Sequence, residues 1–187
     1  IGEAGLREYT QIIISEADRL QSLLDRMLGP NNLPRIESVN IHDVLEHIRD
    51  LVTVEAGKAL HVHQDYDPSL PDIQADRDLL LQAVLNIMRN AVQALEGRGE
   101  IILRTRVRRH FNIGSKKYRL VARIQIIDNG PGIPEELRKQ IFYPMITGRS
   151  DGTGLGLSIA QALINRHGGL IECESQPGKT VFTLLLP

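Results

Sequence analysis

Apolar residues recur at every third or fourth position near the start of the chain, which predicts one long amphipathic helix. The stripe consists of Leu6, Tyr9, Ile13, Ala17, Leu20, Leu24 and Met27. This near-heptad spacing is typical of helices that pack in bundles. Gly29-Pro30 ends the helix, and residues 31–36 form a linker. The apolar stripe requires a partner, either the rest of the domain or another helix of a two- or four-helix bundle.

Beyond the linker, helical patterns and alternating patterns follow one another. Helices are expected to about Val54 with Asn40 as N-cap, from Arg77 to Leu95 with Asp76 as N-cap, from about Pro134 to Ile141, and from Leu155 to His167. Strands are expected at Leu60–Asp65, Glu100–Arg109, Tyr118–Ile127, Leu170–Ser175 and Thr180–Leu186, with His110–Lys117 as a hairpin connection and Tyr143–Gly152 as a loop. This order favours an α/β (α+β) two-layer sandwich, in which one mixed, largely antiparallel sheet lies under a helix layer and is preceded by one bundle helix.

The composition narrows the class of protein. Hydrophobic residues make up 42% and charged residues 24% of the chain, as in soluble globular domains. The net charge of -1 provides no general attraction to nucleic acid or anionic membrane, and no apolar run approaches the ~20 residues of a membrane helix. The single cysteine, Cys173, fits a reducing compartment, so we expect a cytoplasmic location. Because the chain begins with Ile1, we expect a piece of a longer protein.

Two asparagines on the helix Arg77–Leu95 indicate a polar site. Asn86 and Asn90 are four residues apart and therefore lie on one face, although the rest of the helix is strongly apolar. One such amide alone is more often a solvent-facing or capping residue. Two on a largely buried helix favour a binding site, because unpaired amides are costly to bury. An amide oxygen can complete the coordination of a Mg²⁺ ion held mainly by substrate phosphates.

Two glycine-rich segments add to this chemistry. In Asp128–Gly132, a carboxylate at a strand end can accept a hydrogen bond from a ligand amino group, and the glycines permit close approach. Taken alone, that segment is better explained as an ordinary turn. In Gly152–Leu157, three alternating glycines at a helix start leave backbone N–H groups free to bind phosphate, which the helix dipole also favours.

Other phosphate and metal motifs are excluded. Gly178-Lys179-Thr180 resembles the end of a P-loop, but Cys173 occupies the position of its first glycine and no helix pattern follows. The glycine spacing of Gly152–Leu157 does not match the Rossmann fingerprint. The six histidines are scattered and form no metal-ligand set.

Taken in order, these segments resemble the four boxes of the GHKL superfamily of ATP-binding domains, and within it the sensor histidine kinases. The boxes are Asn86-x3-Asn90 (N), Asp128-x-Gly130-x-Gly132 (G1), Phe142-Tyr143-Pro144 (F) and Gly152-x-Gly154-x-Gly156 (G2). The resemblance covers residues 37–187 and implies an ATP-binding catalytic domain with the Bergerat fold. Residues 66–71, 100–106 and 142–149 further resemble the nitrogen-regulatory sensor kinases. Residues 1–30 resemble part of that family's dimerisation and phosphotransfer bundle, its second helix.

The resemblance implies roles for individual residues around ATP and Mg²⁺. It places Asn90 on the metal, Asn86 near the phosphates and Arg149 at the γ-phosphate. Asp128 would accept a hydrogen bond from the adenine amino group, with Thr180 close to it through water. The remaining implied ligand contacts are Gly130, Gly132 and Ile133 at the base, and Gly152, Thr153, Gly154, Leu155, Gly156 and Leu157 around the phosphates.

The resemblance also implies a reaction and partners. In this family the γ-phosphate passes to a histidine on a dimerisation helix and then to an aspartate of a response regulator. For the nitrogen-regulatory kinases the regulator is NtrC-like, the PII signal protein is a second partner, and the bundle helices form a homodimer. The phosphoacceptor segment His-Glu-x-x-Asn-Pro is absent from this sequence. We therefore do not expect this chain to phosphorylate itself.

Two alternative functions stay open at this point. A GHKL ATPase is disfavoured, because relatives that hydrolyse ATP carry a water-activating Glu at the position of Asn86. A non-catalytic module that binds ATP and docks a partner is the second alternative, since Arg104, Arg106 and Arg108 share a basic strand face; a solvated face is the commoner explanation of such arginines. Gln93 stands where the family often has Lys or His, so one positive charge near the phosphates is absent.

Overall fold

The computed structural model describes residues 34–146 and 154–187 of the chain. These belong to the second of two compact units, Pro34–Pro187. The helix predicted for residues 6–27 and part of the loop predicted before Gly152 lie outside the described residues.

Seven strands and four helices follow one another in the described unit. In chain order they are β1 (Glu37–Val39), α1 (Ile41–Ala56), β2 (Leu60–Asp65), β3 (Ile73–Ala75), α2 (Arg77–Ala94), β4 (Gly99–Ile113), β5 (Lys116–Asp128), α3 (Glu135–Arg138), α4 (Gly156–Arg166), β6 (Leu170–Gln176) and β7 (Lys179–Leu186). The main sheet has the strand order β2-β4-β5-β7-β6, and β1 pairs with β3 in a separate two-stranded sheet. Only the β2–β4 pair of the main sheet is parallel. The predicted two-layer sandwich with a mixed, largely antiparallel sheet is confirmed.

The two predicted helix caps explain where α1 and α2 begin. The Asn40 side chain accepts a hydrogen bond from the backbone N–H of His42, and the Asp76 side chain accepts from the backbone N–H groups of Asp78 and Leu79. These bonds satisfy donors that have no partner within the helix. Helix α2 contacts both α1 and α4, and its buried stripe faces the sheet. Within the described residues, no helix is long and apolar enough to cross a membrane.

The central hairpin is longer than the sequence pattern predicted. The predicted connection His110–Lys117 is wrong, because β4 and β5 continue to a turn of two residues, Gly114 and Ser115. Gly114 has a φ of +59°, which glycine adopts without strain. The alternation of buried and exposed residues fades beyond Val107 because that end of the hairpin has no core beneath it.

Three short elements also differ from the predictions. Helix α3 spans four residues rather than the predicted eight, and none of its residues is buried, so no apolar contact stabilises a longer helix. Strands β1 and β3 were missed. Each has three residues, which is too short for an alternating pattern to be recognised.

Candidate functional site

Helix α2 carries an unsatisfied amide at the predicted phosphate end of the site. Asn86 and Asn90 are both half-buried on this helix. The Asn86 Nδ2 atom is buried and has no hydrogen-bond partner among the described residues. Because an unpaired buried donor costs about 1–3 kcal/mol, such an atom indicates a ligand acceptor that completes the site. A phosphate oxygen or a ribose oxygen has the required chemistry.

The start of α4 lies against this amide. A Cβ added at Gly156 would be 3.9 Å from the Asn86 Cβ. Leu155 precedes the helix and makes no side-chain cap hydrogen bond. Among the described residues, no side chain accepts from the first N–H groups of α4, so these groups can bind an anion. Leu155 is buried and Leu157 is half-buried, as expected for residues that pack beneath the glycine segment.

Gly154 fixes the two ends of the loop that precedes α4. The backbone N–H of Met145 donates to the Gly154 carbonyl oxygen over 3.0 Å. Gly154 has a φ of +65°, and a Cβ there would lie 2.6 Å from the Met145 carbonyl carbon. No side chain fits this position without a shift of the backbone. Arg149, Gly152 and Thr153, which the sequence assigned to the phosphates, lie outside the described residues.

Asp128 forms the other end of the site. It is the last residue of β5 and is 2% exposed, and its Oδ1 accepts a hydrogen bond from the Gly130 N–H over 2.9 Å. Burial raises the pKa of this carboxyl, and the Gly130 N–H partly opposes that shift. A buried carboxylate with oxygen lone pairs to spare can accept a hydrogen bond from a ligand amino group.

Helix α2 connects the two ends. Asn86 lies beside Gly156 at the start of α4, and the last residue of α2, Ala94, would lie 3.5 Å from a Cβ added at Gly130. The eight residue steps from Asn86 to Ala94 span about 12 Å of helix axis at a rise of about 1.5 Å per residue. We call the side of α2 that carries Asn86 and Asn90 its polar edge. This edge runs from the N-terminus of α4, which suits a phosphate, to the buried Asp128 carboxylate, which suits an amino group. Asn90 lies between these ends.

A hydrogen-bond network not predicted from the sequence holds the Asp128 end together. Thr180 is the register partner of both Asp128 on β5 and Ser175 on β6. The Ser175 Oγ accepts from the Ile133 N–H over 2.8 Å and lies 2.8 Å from the Thr180 Oγ1. Arg138 donates to the Ser175 carbonyl oxygen over 2.9 Å. The turn between β6 and β7 places Ser175 directly opposite Thr180, so the strand register was the signal that could have identified it.

The network also links the hydroxyl groups of Ser175 and Thr180. The Ser175 Oγ accepts from the Ile133 N–H, and either hydroxyl of the Ser175–Thr180 pair can donate to the other. A hydroxyl has one hydrogen to donate. If Ser175 donates to Thr180, the Thr180 hydrogen is free to point toward a ligand. Gly132 packs directly against the backbone of the β6–β7 turn, since a Cβ there would lie 2.7 Å from the Gln176 carbonyl oxygen.

Replacement of Ser175 with Ala should weaken both the fold and nucleotide binding. The change leaves the Ile133 N–H without its acceptor, which we expect to lower the free energy of unfolding by about 1–3 kcal/mol. Urea unfolding and calorimetric titration with ATP measure the two effects. Ser38→Ala, on an exposed strand, is the matched control and should change neither. An unchanged unfolding midpoint in Ser175→Ala would refute the role of this network.

A metal at this site would not have a cage of protein ligands. Among the described residues, no group of three or more His, Cys, Asp or Glu side chains is placed to hold a metal ion. The asparagines of α2 offer neutral oxygen ligands, which suit a hard cation that keeps waters and phosphate oxygens as its other ligands. The donor set fits Mg²⁺ that arrives with a nucleotide.

The comparisons with known proteins give the class to which this site belongs. Residues 75–187 match the family described as "Histidine kinase-, DNA gyrase B-, and HSP90-like ATPase". This match covers more than half of the chain, so the chain belongs to that family of ATP-binding domains. The resemblance stated from the four boxes is confirmed.

Particular relatives narrow the class. The sensory histidine kinase/phosphatase NtrB of Vibrio alginolyticus is 50% identical over 187 residues, which cover 99% of this chain and 53% of that protein. NtrB of Escherichia coli O157:H7 has the same identity and the same coverage. The chain thus spans about half the length of these relatives.

Solved structures of histidine kinases have the same fold. The catalytic domain of histidine kinase ThkA superposes with a TM-score of 0.67 at 27% identity and covers 82% of this chain and 95% of that chain. ThkA in complex with the response regulator TrrA gives a TM-score of 0.68 at 25% identity, covering 100% and 52%. Full-length ShkA in complex with AMPPNP gives 0.68 at 25%, covering 97% and 38%.

Proposed function

We propose that this chain is the ATP-binding catalytic part of a sensor histidine kinase of the NtrB kind, which acts in nitrogen regulation in the cytoplasm. Residues 37–187 form the catalytic domain, and residues 1–30 form one helix of the dimerisation bundle. The observation that carries the proposal is the pairing of the orphaned Asn86 amide and the buried Asp128 carboxylate at the two ends of one polar helix edge. The identity with NtrB relatives supports the choice within the family.

The residues divide between the two ends of the nucleotide. Asp128 accepts from the adenine amino group and Thr180 lies beside it, with Gly130, Gly132 and Ile133 lining the base pocket. At the other end, Asn86 donates to the phosphate region and Asn90 ligates Mg²⁺. Mg²⁺, when bound, neutralises phosphate charge. The remaining phosphate contacts that we assign are Gly152, Thr153, Gly154, Leu155, Gly156 and Leu157, with Arg149 at the γ-phosphate.

The residue at position 86 favours phosphorylation of histidine over hydrolysis. Water and hydroxyl groups need a base before they attack phosphorus, and a neutral amide cannot accept the proton. Imidazole is already a nucleophile near neutral pH, so the site needs to position the phosphate and to balance its charge. Asn86 contributes to both without acting as a base. The acceptor histidine lies outside this chain.

The partners follow from the same proposal. Helices of the bundle form a homodimer in the whole protein, an NtrC-like response regulator receives the phosphate, and the PII signal protein is a further partner. The structural similarity to a histidine kinase in complex with a response regulator supports the second of these. No nucleic acid and no membrane is assigned as a partner.

The proposed function has a direct biochemical test. Incubated with γ-labelled ATP and Mg²⁺, the chain alone should acquire no stable, acid-labile phosphate, because no histidine has the phosphoacceptor context. When a separate fragment carrying the His-Glu-x-x-Asn-Pro segment of a relative is added, that fragment should become labelled. Gel autoradiography after acid and alkali treatment measures both outcomes.

Two controls make the outcome decisive. Replacing the acceptor histidine of the added fragment with Gln should abolish its label, and unlabelled ATP should compete for the signal. Acid-labile phosphate on the chain alone would contradict the placement of the acceptor histidine outside this chain. Release of inorganic phosphate at the same rate with and without the acceptor fragment, with no label on that fragment, would contradict the kinase assignment and favour an ATPase.

A further inference from the structure

The β4–β5 hairpin concentrates the positive charge of this protein. Residues 99–128 contain eight Lys and Arg but only two carboxylates, Glu100 and Asp128, although the whole chain has 22 basic and 23 acidic residues. The hairpin therefore has a formal charge of +6 and the remainder -7, which together give the net charge of -1. Such a division produces a local potential that the overall charge conceals.

Four arginines form what we name the arginine face of the sheet: Arg104, Arg106, Arg108 and Arg123. They lie on the side away from the helices, because the β4 residues between them point into the core. Arg106 and Arg123 are direct cross-strand partners. Like charges at such positions destabilise a sheet. The arrangement is therefore unfavourable for the isolated protein.

One carboxylate compensates part of this charge. Asp65 accepts from the Arg104 Nε over 2.6 Å and from the Arg106 Nη2 over 2.7 Å. Among the described residues, no carboxylate lies within ion-pair distance of Arg108 or Arg123. The Arg123 Nε is buried without a hydrogen-bond partner in the described part of the chain. Burial, and then the charges of Arg108, Arg106 and Arg104, lower the pKa of Arg123.

The same hairpin extends beyond the sheet. The pairing of β2 with β4 ends at Asp65 and Arg104, and the pairing of β7 with β5 ends at Ala122 and Leu186. Past these pairs the hairpin is a two-stranded ribbon that reaches the turn at residues 114–115. Four further exposed cations occupy this ribbon: Arg109, Lys116, Lys117 and Arg119. Their position away from the core leaves them accessible to another molecule.

We propose that the arginine face and the ribbon beyond it dock the acidic surface of a protein partner. Asp128 and Thr180 lie on the opposite, helix-covered side of the sheet, so the partner and a nucleotide can bind at the same time. Carboxylates of the partner would relieve the repulsion between Arg106 and Arg123 and would steer the encounter.

A protein fits this surface better than DNA or a lipid bilayer does. Nucleic acids and anionic membranes are charged beyond the width of one hairpin, and the rest of this chain, at -7, would repel them. An acidic patch on a protein can be limited to the size of the hairpin. Bases of a single strand also need exposed aromatic rings to stack on, whereas Phe111 and Tyr118 in the ribbon are half-buried.

Charge reversal on the hairpin tests this surface. The double variant Arg108→Glu, Lys117→Glu changes two exposed residues that have no described ion pair. The control Lys58→Glu, Arg98→Glu makes the same change of charge at exposed positions outside the hairpin. The protein probes are an NtrC-like response regulator and a PII protein, a choice that rests on the proposed function, and duplex DNA and anionic vesicles are measured beside them. Surface plasmon resonance at 50 and 300 mM salt measures the affinity of the parent chain and of each variant for each probe. Titration with ATP verifies that each variant still folds and binds nucleotide.

We expect the hairpin variant to raise the Kd of at least one protein probe by about 10-fold or more at low salt, with a smaller change at high salt. The control variant should leave the Kd unchanged, and both variants should bind ATP as the parent chain does. Equal affinities of the hairpin variant and the parent for both proteins would overturn the proposal. So would a loss confined to duplex DNA or anionic vesicles. Loss of ATP binding by the parent itself would instead refute the proposed function.

Discussion

Asp128→Asn should abolish most nucleotide binding while it stabilises the fold. The variant keeps an oxygen that accepts from the Gly130 N–H, but it removes the negative charge and replaces the second carboxylate oxygen with an NH2 group, which donates and cannot accept. A hydrogen bond to a charged group contributes about 1.5–3 kcal/mol, so the Kd for ATP should rise roughly 10- to 150-fold. Calorimetric titration with ATP measures this loss.

The gain in stability follows from the burial of the carboxylate. The pKa of Asp128 is raised above its usual value of 3.8 by desolvation. For an acid whose pKa is higher in the folded state, the stabilising contribution is present below the unfolded pKa and is lost as the pH rises through the folded pKa. At neutral pH the charged Asp128 therefore destabilises the fold, and Asn should raise the midpoint of urea unfolding.

Comparison with an exposed carboxylate and with lower pH gives this prediction its controls. Asp43→Asn, at an exposed position, should leave the ATP affinity unchanged. In the parent chain, ATP affinity should fall as the pH approaches the raised pKa of Asp128 from above. A variant that binds ATP normally, or one that unfolds more easily at neutral pH, would show that Asp128 has another role.

Local rules were sufficient to predict most of the fold. Asn40 and Asp76 could be recognised as caps because each is a favoured N-cap residue that directly precedes an apolar stripe. The strands of the sheet have enough residues on a buried face to be identified from alternation. The hairpin connection was predicted to be too long because His110–Lys117 contains many polar residues, whereas the turn consists of Gly114 and Ser115.

The residues of the candidate site likewise fall into those that the sequence indicates and those that only the fold reveals. Asn86, Asn90 and Asp128 could be proposed as site residues from the sequence because polar residues next to apolar runs are conspicuous. Ser175 could not, since a serine near a turn is common and its importance arises only from its position opposite Thr180. The cross-strand pair of Arg106 and Arg123 depends on register in a hairpin whose length was underestimated, so alternation alone could not reveal it.

Asn90→Ala should remove the contribution of Mg²⁺ to nucleotide binding. Asn90 is half-buried on the polar edge of α2, one turn beyond the orphaned Asn86 amide. Because the described residues provide no acidic or histidine cage, an amide ligand makes up a large share of the protein's hold on the ion. Loss of groups that merely support a metal ligand costs 10- to 100-fold in metal affinity. We expect at least about that loss in the Mg²⁺-dependent part of ATP affinity.

The distinction between a metal ligand and a structural residue lies in the dependence on Mg²⁺. ATP affinity should be measured for the parent and the variant with Mg²⁺ and with EDTA, and the two should converge only in EDTA. Gln93→Ala removes an exposed amide from the same helix and should bind ATP·Mg²⁺ normally. If Asn90→Ala weakened binding equally in Mg²⁺ and in EDTA, the residue would contact the nucleotide or support the helix rather than the ion. The metal ligand would then have to be sought elsewhere on the polar edge of α2.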